Sequence, residues 1–243
     1  FISTPSSISA VELLEKLNVA RFKVGSGDTS NLLLLKRLGK TRKPILLSSG
    51  MSSFEELETS IVFLRKFGNP LTIMQCTSKY PTGPKDWGLN VIQELKNRFE
   101  LPVGFSDHSG TIYASLAAAV MGAEVFEFHV VFDKRQFGPD VSSSITIDQV
   151  KILTEGIKAI QTAMNNPLNK NNISQCEDLK KMFGKSLSVN KNKKAGEIIK
   201  FEDLESKKPS EYGISAIEFE KVIGKTLNKN LAKWSFLNWE DLD

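Results

Sequence analysis

Short apolar runs alternate with amphipathic segments six times along the first two thirds of this chain, and that alternation restricts its fold more than any other feature. The runs are FISTP (1–5), RFKVGSG (21–27), PILLSSG (44–50), LTIMQCTS (71–78), PVGFSD (102–107) and VFEFHVVF (125–132). Helical signals lie between them. Ser9 and Glu12 have capping-box spacing ahead of Val11, Leu14 and Leu17. Ser53 and Glu56 open a stretch in which Phe54, Leu57, Ile61 and Leu64 recur at helical intervals. Further helices are predicted near 90–99 and over the alanine-rich 111–121. Thr146 and Gln149 open another, with Val150, Leu153, Ile157 and Ile160 on one face. Repeated βα units imply a parallel sheet with helices outside it. Strands buried on both faces read as continuous apolar runs, as these do. Lys23, Ser26, Ser48, Ser78, Ser106, His108, Glu127 and His129 all fall near the strands' C-terminal ends, where a (β/α)8 barrel carries its active site.

The alternation stops at the Asn-rich segment NNPLNKNN. The predicted organisation is an α/β barrel unit over 1–164, a linker over 165–181 and a small β-rich domain over 182–243, with KSLSV and EIIKF as short strands. A net charge of +4 is mild. The late lysines of KNKK and Lys207-Lys208 lack interleaved aromatics, so they read as a solvated surface and no nucleic-acid partner is expected. No apolar run reaches about 18 residues, so no membrane span is expected. Two distant cysteines, Cys76 and Cys176, do not make a disulfide scaffold. With no signal peptide evident, a cytoplasmic location is expected. The first residue is Phe1 and FISTP already reads as a strand, so the chain is expected to begin partway into a longer fold.

The strand VFEFHVVF sets Glu127 and His129 two residues apart, hence on one face. The only other histidine, His108, follows the strand of GFSDHS. Neutral imidazoles on neighbouring strand ends can hold a divalent ion and leave positions open for substrate. Asp107 and Glu127 could fix the ring tautomers. Two satisfied core histidines are the alternative, but the chain places both beside carboxylates at matching positions. Lys23 followed by GSGD can present an ammonium, a hydroxyl and free N–H groups to an anion, or GSGD can simply turn the chain. Asp140 in FGPD can bond a polyol or cap a turn. Cys76 reads as a small core residue.

Together, KVGSGD, LLSSGM, CTSKYPT, GFSDHS, EFHVVFD and FGPD resemble the N-acetylneuraminate (sialic acid) synthase family in order and spacing. KKAGEIIKFEDLESKKP, YGIS and VIGKTL resemble that family's antifreeze-like (SAF) domain, a β-clip fold. The similarity extends from Phe1 to about Leu237. It implies a TIM-type barrel followed by a SAF domain. The family's first two strands carry an AEIG-type and a KFQ-type motif. Neither occurs here, so a barrel lacking those strands is expected.

The activity implied is condensation of phosphoenolpyruvate with an N-acetylated amino sugar such as N-acetylmannosamine, and water, to a nonulosonic acid and phosphate. Mn²⁺ or Mg²⁺ would be the cofactor, held by His108 and His129. Lys23, Ser26, Ser48 and Ser106 would bind phosphoenolpyruvate, with Ser78 where many members carry Asn. Glu127 and Asp140 would face the sugar, and Tyr80 would bind substrate. Lys208 stands where many members carry an Arg that reaches the partner subunit's site. That implies a homodimer with the SAF domain over the partner's barrel. Without the first two strands the chain alone is expected to lack synthase activity. The alternative is a non-catalytic protein that binds a ligand or partner through the SAF domain. An aldolase would instead use Lys23 as a Schiff-base amine.

Overall fold

All six apolar runs form parallel strands, and a seventh joins them. The computed structural model describes every residue, Phe1–Asp243, in two compact units, Phe1–Pro167 and Leu168–Asp243. In the first unit the order is β1 (Ile2–Ser3), α1 (Ile8–Lys16), β2 (Arg21–Val24), α2 (Leu32–Gly39), β3 (Ile45–Ser48), α3 (Phe54–Arg65), β4 (Leu71–Cys76), α4 (Leu89–Phe99), β5 (Val103–Asp107), α5 (Tyr113–Val120), β6 (Phe126–Val131), β7 (Ser144–Thr146) and α6 (Ile147–Asn165). The strands lie in chain order in one parallel sheet. No pairing joins β1 to β7, so the sheet is open. A TIM-type half-barrel fits this curled parallel arrangement. No helix is long and apolar enough to cross a membrane.

Alternation of side chains across the strands builds two faces. Phe22, Val24, Ile45, Leu47, Ile73, Val103 and Phe105 point under the helices into the main core, where they meet Leu35, Ile61 and Ile92. Complete burial of each such side chain contributes about 1.5–3 kcal/mol. The residues between them point to the other, concave face. There Leu46, Met74 and Cys76 form a small separate cluster with Val125. Lys23, Ser48, Ser106, Glu127 and His129 share that parity.

The capping boxes predicted at Ser53–Glu56 and Thr146–Gln149 are both formed. Two local expectations are corrected, both at α1, and α2 and β7 are further elements. Ser7, not Ser9, caps α1: it is extended and its Oγ accepts from Ala10 N at 3.2 Å. The earlier start ends the helix at Lys16, so Leu17 becomes the exposed C-cap rather than part of the buried stripe. Helix α2 is opened by Asn31, whose side chain accepts from Leu34 N, and its unbroken LLLL gives no helical period to read. Strand β7 has only three residues, and it exists because residues 144–146 pair with 129–131 of β6.

In the second unit, part of the predicted linker is helix α7 (Glu177–Phe183). Strands β8 (Ser186–Val189) and β9 (Leu204–Lys207) pair antiparallel. The segment EIIKF is not a strand; Ile198 makes only an isolated bridge to Thr226. Helix α8 (Phe219–Val222) follows. This unit contains a gapless internal repeat: NKNKKAGEIIKFEDL (190–204) and NKNLAKWSFLNWEDL (228–242). The repeat is also physical. Lys193 N donates to Leu231 O at 2.8 Å and Leu231 N to Lys193 O at 2.9 Å. Asn192 Oδ1 accepts from Lys233 N, and Asn230 Oδ1 from Ala195 N. Asn190 and Asn228 donate to Glu202 O and Glu240 O. The halves are therefore related by a pseudo-two-fold axis.

The symmetry breaks where Lys193 replaces the equivalent Leu231. Buried Lys193 lies 2.9 Å from Asp203 and 2.7 Å from Glu197. Burial pushes the Asp203 pKa up, but bonds from Lys191, Lys193 and Lys200 N outweigh it and hold the carboxyl well below its usual range. Lys193→Leu copies the other half, where Asp241 pairs with Lys229, and should change stability by less than about 1.5 kcal/mol, since Asp203 keeps Lys191 and the Lys200 N–H. Asp203→Ala leaves the buried ammonium with Glu197 alone and strips Lys191 and the Lys200 N–H of their acceptor, and should cost about 3 kcal/mol or more. Because the folded pKa is depressed, Asp203 stabilises above its ordinary value and loses that contribution as pH falls. The deficit of Asp203→Asn should therefore shrink from about pH 5 toward pH 2. Urea unfolding of the whole chain reads all three; equal losses for Lys193→Leu and Asp203→Ala would refute this account.

Candidate active site

His108 follows β5 directly and is buried, 5% exposed. Its backbone N–H donates to Thr77 Oγ1 at 3.0 Å, and its carbonyl accepts from Thr82 N at 3.1 Å. The loop after β4 thus holds the His108 backbone from both sides. Its ring Nδ1 lies 2.8 Å from Thr77 O and 2.9 Å from Thr77 Oγ1. A carbonyl can only accept, so Nδ1 carries the proton and Nε2 keeps its lone pair. Burial lowers the His108 pKa, with the Thr77 carbonyl opposing in part. The ring is neutral at pH 7 and offers Nε2 as a ligand. Asp107 does not fix this tautomer, contrary to expectation. Its two oxygens accept from Ser109 N at 2.7 Å and Ser115 Oγ at 3.0 Å, so it ties β5 to α5. Thr77 is the partner, and no spacing rule could reveal it, because the contact is between strands.

Glu127 and His129 project from β6 onto the concave face. The His129 ring centroid is 5.1 Å from that of His108, at an interplanar angle of 69°. His129 Nδ1 lies 3.5 Å from Asp140 Oδ2. Asp140 is the carboxylate beside this ring nitrogen, while Glu127 pairs with Lys23. No third His, Cys, Asp or Glu completes a ligating cluster. An ion between the imidazoles would draw its other ligands from substrate and water. Tyr80 stacks on His108 at 3.9 Å and meets His129 edge-on at 5.9 Å. Burial, then the nearby Cys76, Glu127 and Asp140, push its phenol pKa up.

Glu127 faces Lys23 across the concavity, Oε2 to Nζ at 3.0 Å. The pair is close but not aligned as a hydrogen bond, and Oε2 is buried without a donor. Beside it lies a cavity of about 500 Å³ lined by residues 2–4, Lys23, Leu46, Met74 and residues 125–128. Ser26 and Ser78 converge on Gly50: a Cβ there would lie 2.8 Å from Ser26 Oγ and 3.0 Å from Ser78 Oγ. Ser78 Oγ donates to Gly50 O. Ser48 is fully buried and its hydroxyl has no partner. Ser106 is buried two strands away on β5, its carbonyl accepting from Thr77 N at 3.1 Å. Lys208 belongs to the second unit, where its Nζ lies 4.5 Å over the Phe183 ring.

Comparison with known proteins gives a consistent picture. A model of the NeuB family matches residues 1–169. The N,N'-diacetyllegionaminic acid synthase of Campylobacter jejuni is 38% identical over 233 residues, covering 95% of this chain and 69% of that protein. The N-acetylneuraminate-9-phosphate synthase of Homo sapiens is 33% identical over 218 residues, covering 89% and 60%. Among solved structures, an N-acetylneuraminic acid (sialic acid) synthetase from Leptospira borgpetersenii, in complex with citrate, aligns with a TM-score of 0.68 and 29% identity, over 73% of this chain and 62% of that one.

The Thr77–His108 geometry makes a stability prediction. Thr77→Val keeps the side-chain volume but leaves the buried His108 N–H without an acceptor. It should cost about 1–3 kcal/mol, whereas Thr77→Ser keeps the hydroxyl and most of the stability. Equal unfolding midpoints for the two variants would show that the hydroxyl is not what holds His108.

Proposed function

Because this chain belongs to the NeuB family of sialic acid synthases, as the match over residues 1–169 and the 38% identity over 95% of its length show, we propose that its site joins phosphoenolpyruvate to an N-acetylated amino sugar. The products are a nonulosonic acid and phosphate. The observation that carries the proposal is the placement of two neutral-capable imidazoles and the Lys23–Glu127 pair on one concave face. An aldehyde acceptor needs electrophilic activation, and phosphoenolpyruvate needs a cation. The two features supply both.

His108 and His129 hold Mn²⁺ or Mg²⁺ in this reading, which supplies Lewis-acid polarisation of the sugar carbonyl. Thr77 keeps the His108 ring proton on Nδ1, so Nε2 is the atom that would bind the ion, and Asp140 lies beside the His129 ring. Lys23 neutralises the phosphoenolpyruvate anion. Ser26, Ser48, Ser78 and Ser106 add hydroxyl donors around it, and Gly50 leaves the space a side chain would fill. The C3 carbon of phosphoenolpyruvate bonds to the sugar's aldehyde carbon. Water then adds at C2 and phosphate leaves. Glu127, held against Lys23 with one oxygen lacking a donor, accepts a hydrogen bond from that water or from a sugar hydroxyl. Tyr80 and Asp140 border the sugar. Positioning and charge stabilisation carry most of the work. The second unit is the SAF-type domain in this proposal, bringing Lys208 to the barrel of a partner subunit in a homodimer.

Titration calorimetry with phosphoenolpyruvate tests the reading. Phosphoenolpyruvate should bind, and Lys23→Ala should weaken it at least about tenfold, the loss of a charge-assisted contact, while sugar binding is little changed. Absence of phosphoenolpyruvate binding would remove the proposal. A borohydride-trapped adduct on Lys23 with a keto substrate would favour an aldolase instead.

The metal assignment has its own test. His108→Ala and His129→Ala should each weaken Mn²⁺ binding by about tenfold or more. Native Mn²⁺ affinity in both variants would dismiss the imidazole pair as its site.

A further inference from the structure

Lys134 lies on the loop between β6 and β7, five residues beyond His129. Its Nζ donates to three backbone carbonyls: Gly110 O at 3.1 Å, Val141 O at 3.4 Å and, closest, Ser144 O. An ammonium has three protons, and each finds a carbonyl here. No carboxylate lies within ion-pair distance. A salt bridge therefore does not explain this lysine. The residue is exposed, and its ammonium end rests on three carbonyls.

The three carbonyls belong to the segments that carry the candidate site. Gly110 is two residues beyond His108. Val141 follows Asp140. Ser144 pairs with His129 in the β6–β7 register, and its hydroxyl donates to Asp140 O at 2.7 Å. The approach is tight: Gly110 has φ +67°, and a Cβ on it would fall 2.2 Å from Ser142 O. Carbonyl oxygens crowded from two loops repel one another unless a cation sits among them.

We infer that Lys134 is a positioning residue that clamps the loop bearing His108 to the loop bearing Asp140 and so sets the spacing of the two imidazoles. The inference rests on the metal role proposed for His108 and His129. The lysine touches neither ring; it acts through Gly110, Val141 and Ser144. Its cation matters more than its stem. Methionine keeps the stem and removes the charge, whereas arginine keeps a cation of similar reach.

Mn²⁺ calorimetry and amide hydrogen exchange on the whole chain, for Lys134→Met, Lys134→Arg and His129→Ala, test this. Lys134→Met should bind Mn²⁺ about tenfold more weakly, as loss of an orienting partner typically does. It should also exchange faster at residues 109–111 and 141–144. Lys134→Arg should keep most of the affinity and protection. Native Mn²⁺ affinity in Lys134→Met overturns the inference, whether or not exchange quickens, since the lysine would then only stabilise a loop. So does an equal loss in Lys134→Arg. If His129→Ala leaves Mn²⁺ binding intact, the metal reading fails and the inference falls with it. Loss in His129→Ala with native affinity in Lys134→Met sinks the inference alone.

Discussion

Lys23 on β2 and Glu127 on β6 meet at 3.0 Å although their strands stand four places apart in the sheet. In a flat sheet four steps of about 4.8 Å put the strands roughly 19 Å apart, beyond the combined reach of the two side chains. The contact therefore requires the sheet to curl, and the curl makes a concavity out of what would otherwise be a surface. Every candidate site residue of the first unit depends on it. The ion pair is not what produces the curl. A partly exposed pair contributes about 0–1 kcal/mol, against about 1.5–3 kcal/mol for each large side chain buried under the helices. Helix packing bends the sheet, and the ion pair exploits the result.

The same curvature explains the division of labour between the two strand faces. The outer face is filled by Phe22, Ile45, Ile73, Phe105 and their helical neighbours, and is wholly apolar at its centre. The inner face has only Leu46, Met74 and Cys76 with Val125 as an apolar floor. Gly104 is needed on that floor, because a Cβ would lie 2.4 Å from Met74 Sδ. Above the floor the inner face turns polar, toward the strands' C-terminal ends. Phe126 packs outward while Glu127 beside it points inward, which is why an apolar-looking strand can carry a carboxylate and an imidazole.

That alternation is legible in the sequence, since period two follows from strand geometry alone. So are the helix starts at Ser53 and Thr146, where one residue pair encodes a local bond. What is not legible depends on contacts between distant segments. Thr77 orients His108 from 31 residues away, and the carboxylate nearest the His129 ring nitrogen is Asp140, eleven residues on, while Glu127 turns to Lys23. Strand β7 is too short to announce itself and is defined by its pairing with β6. At α1 two serines compete as caps, and the backbone conformation at Ser7 decides. The internal repeat of the second unit was readable, as NKN and EDL recur at one spacing, but its consequence was not. Only the paired bonds across Lys193 and Leu231 show the halves facing each other.

The two units handle buried charge in opposite ways. In the second, Asp203 receives Lys191, Lys193 and the Lys200 N–H, so the carboxylate is surrounded by donors and has no capacity left for a ligand. In the first, Glu127 Oε2 and Ser48 Oγ are buried without hydrogen-bond partners on the same concave face. An unmet buried polar group costs about 1–3 kcal/mol, and a fold keeps such a cost where something outside the chain can offset it. Asp107 makes the contrast within a few ångströms of the site: both its oxygens are occupied, and it serves the scaffold. Incomplete hydrogen bonding alone does not mark a ligand site, since Asp241 Oδ1 in the second unit shares it; combined with a common concave face it singles out Glu127 and Ser48.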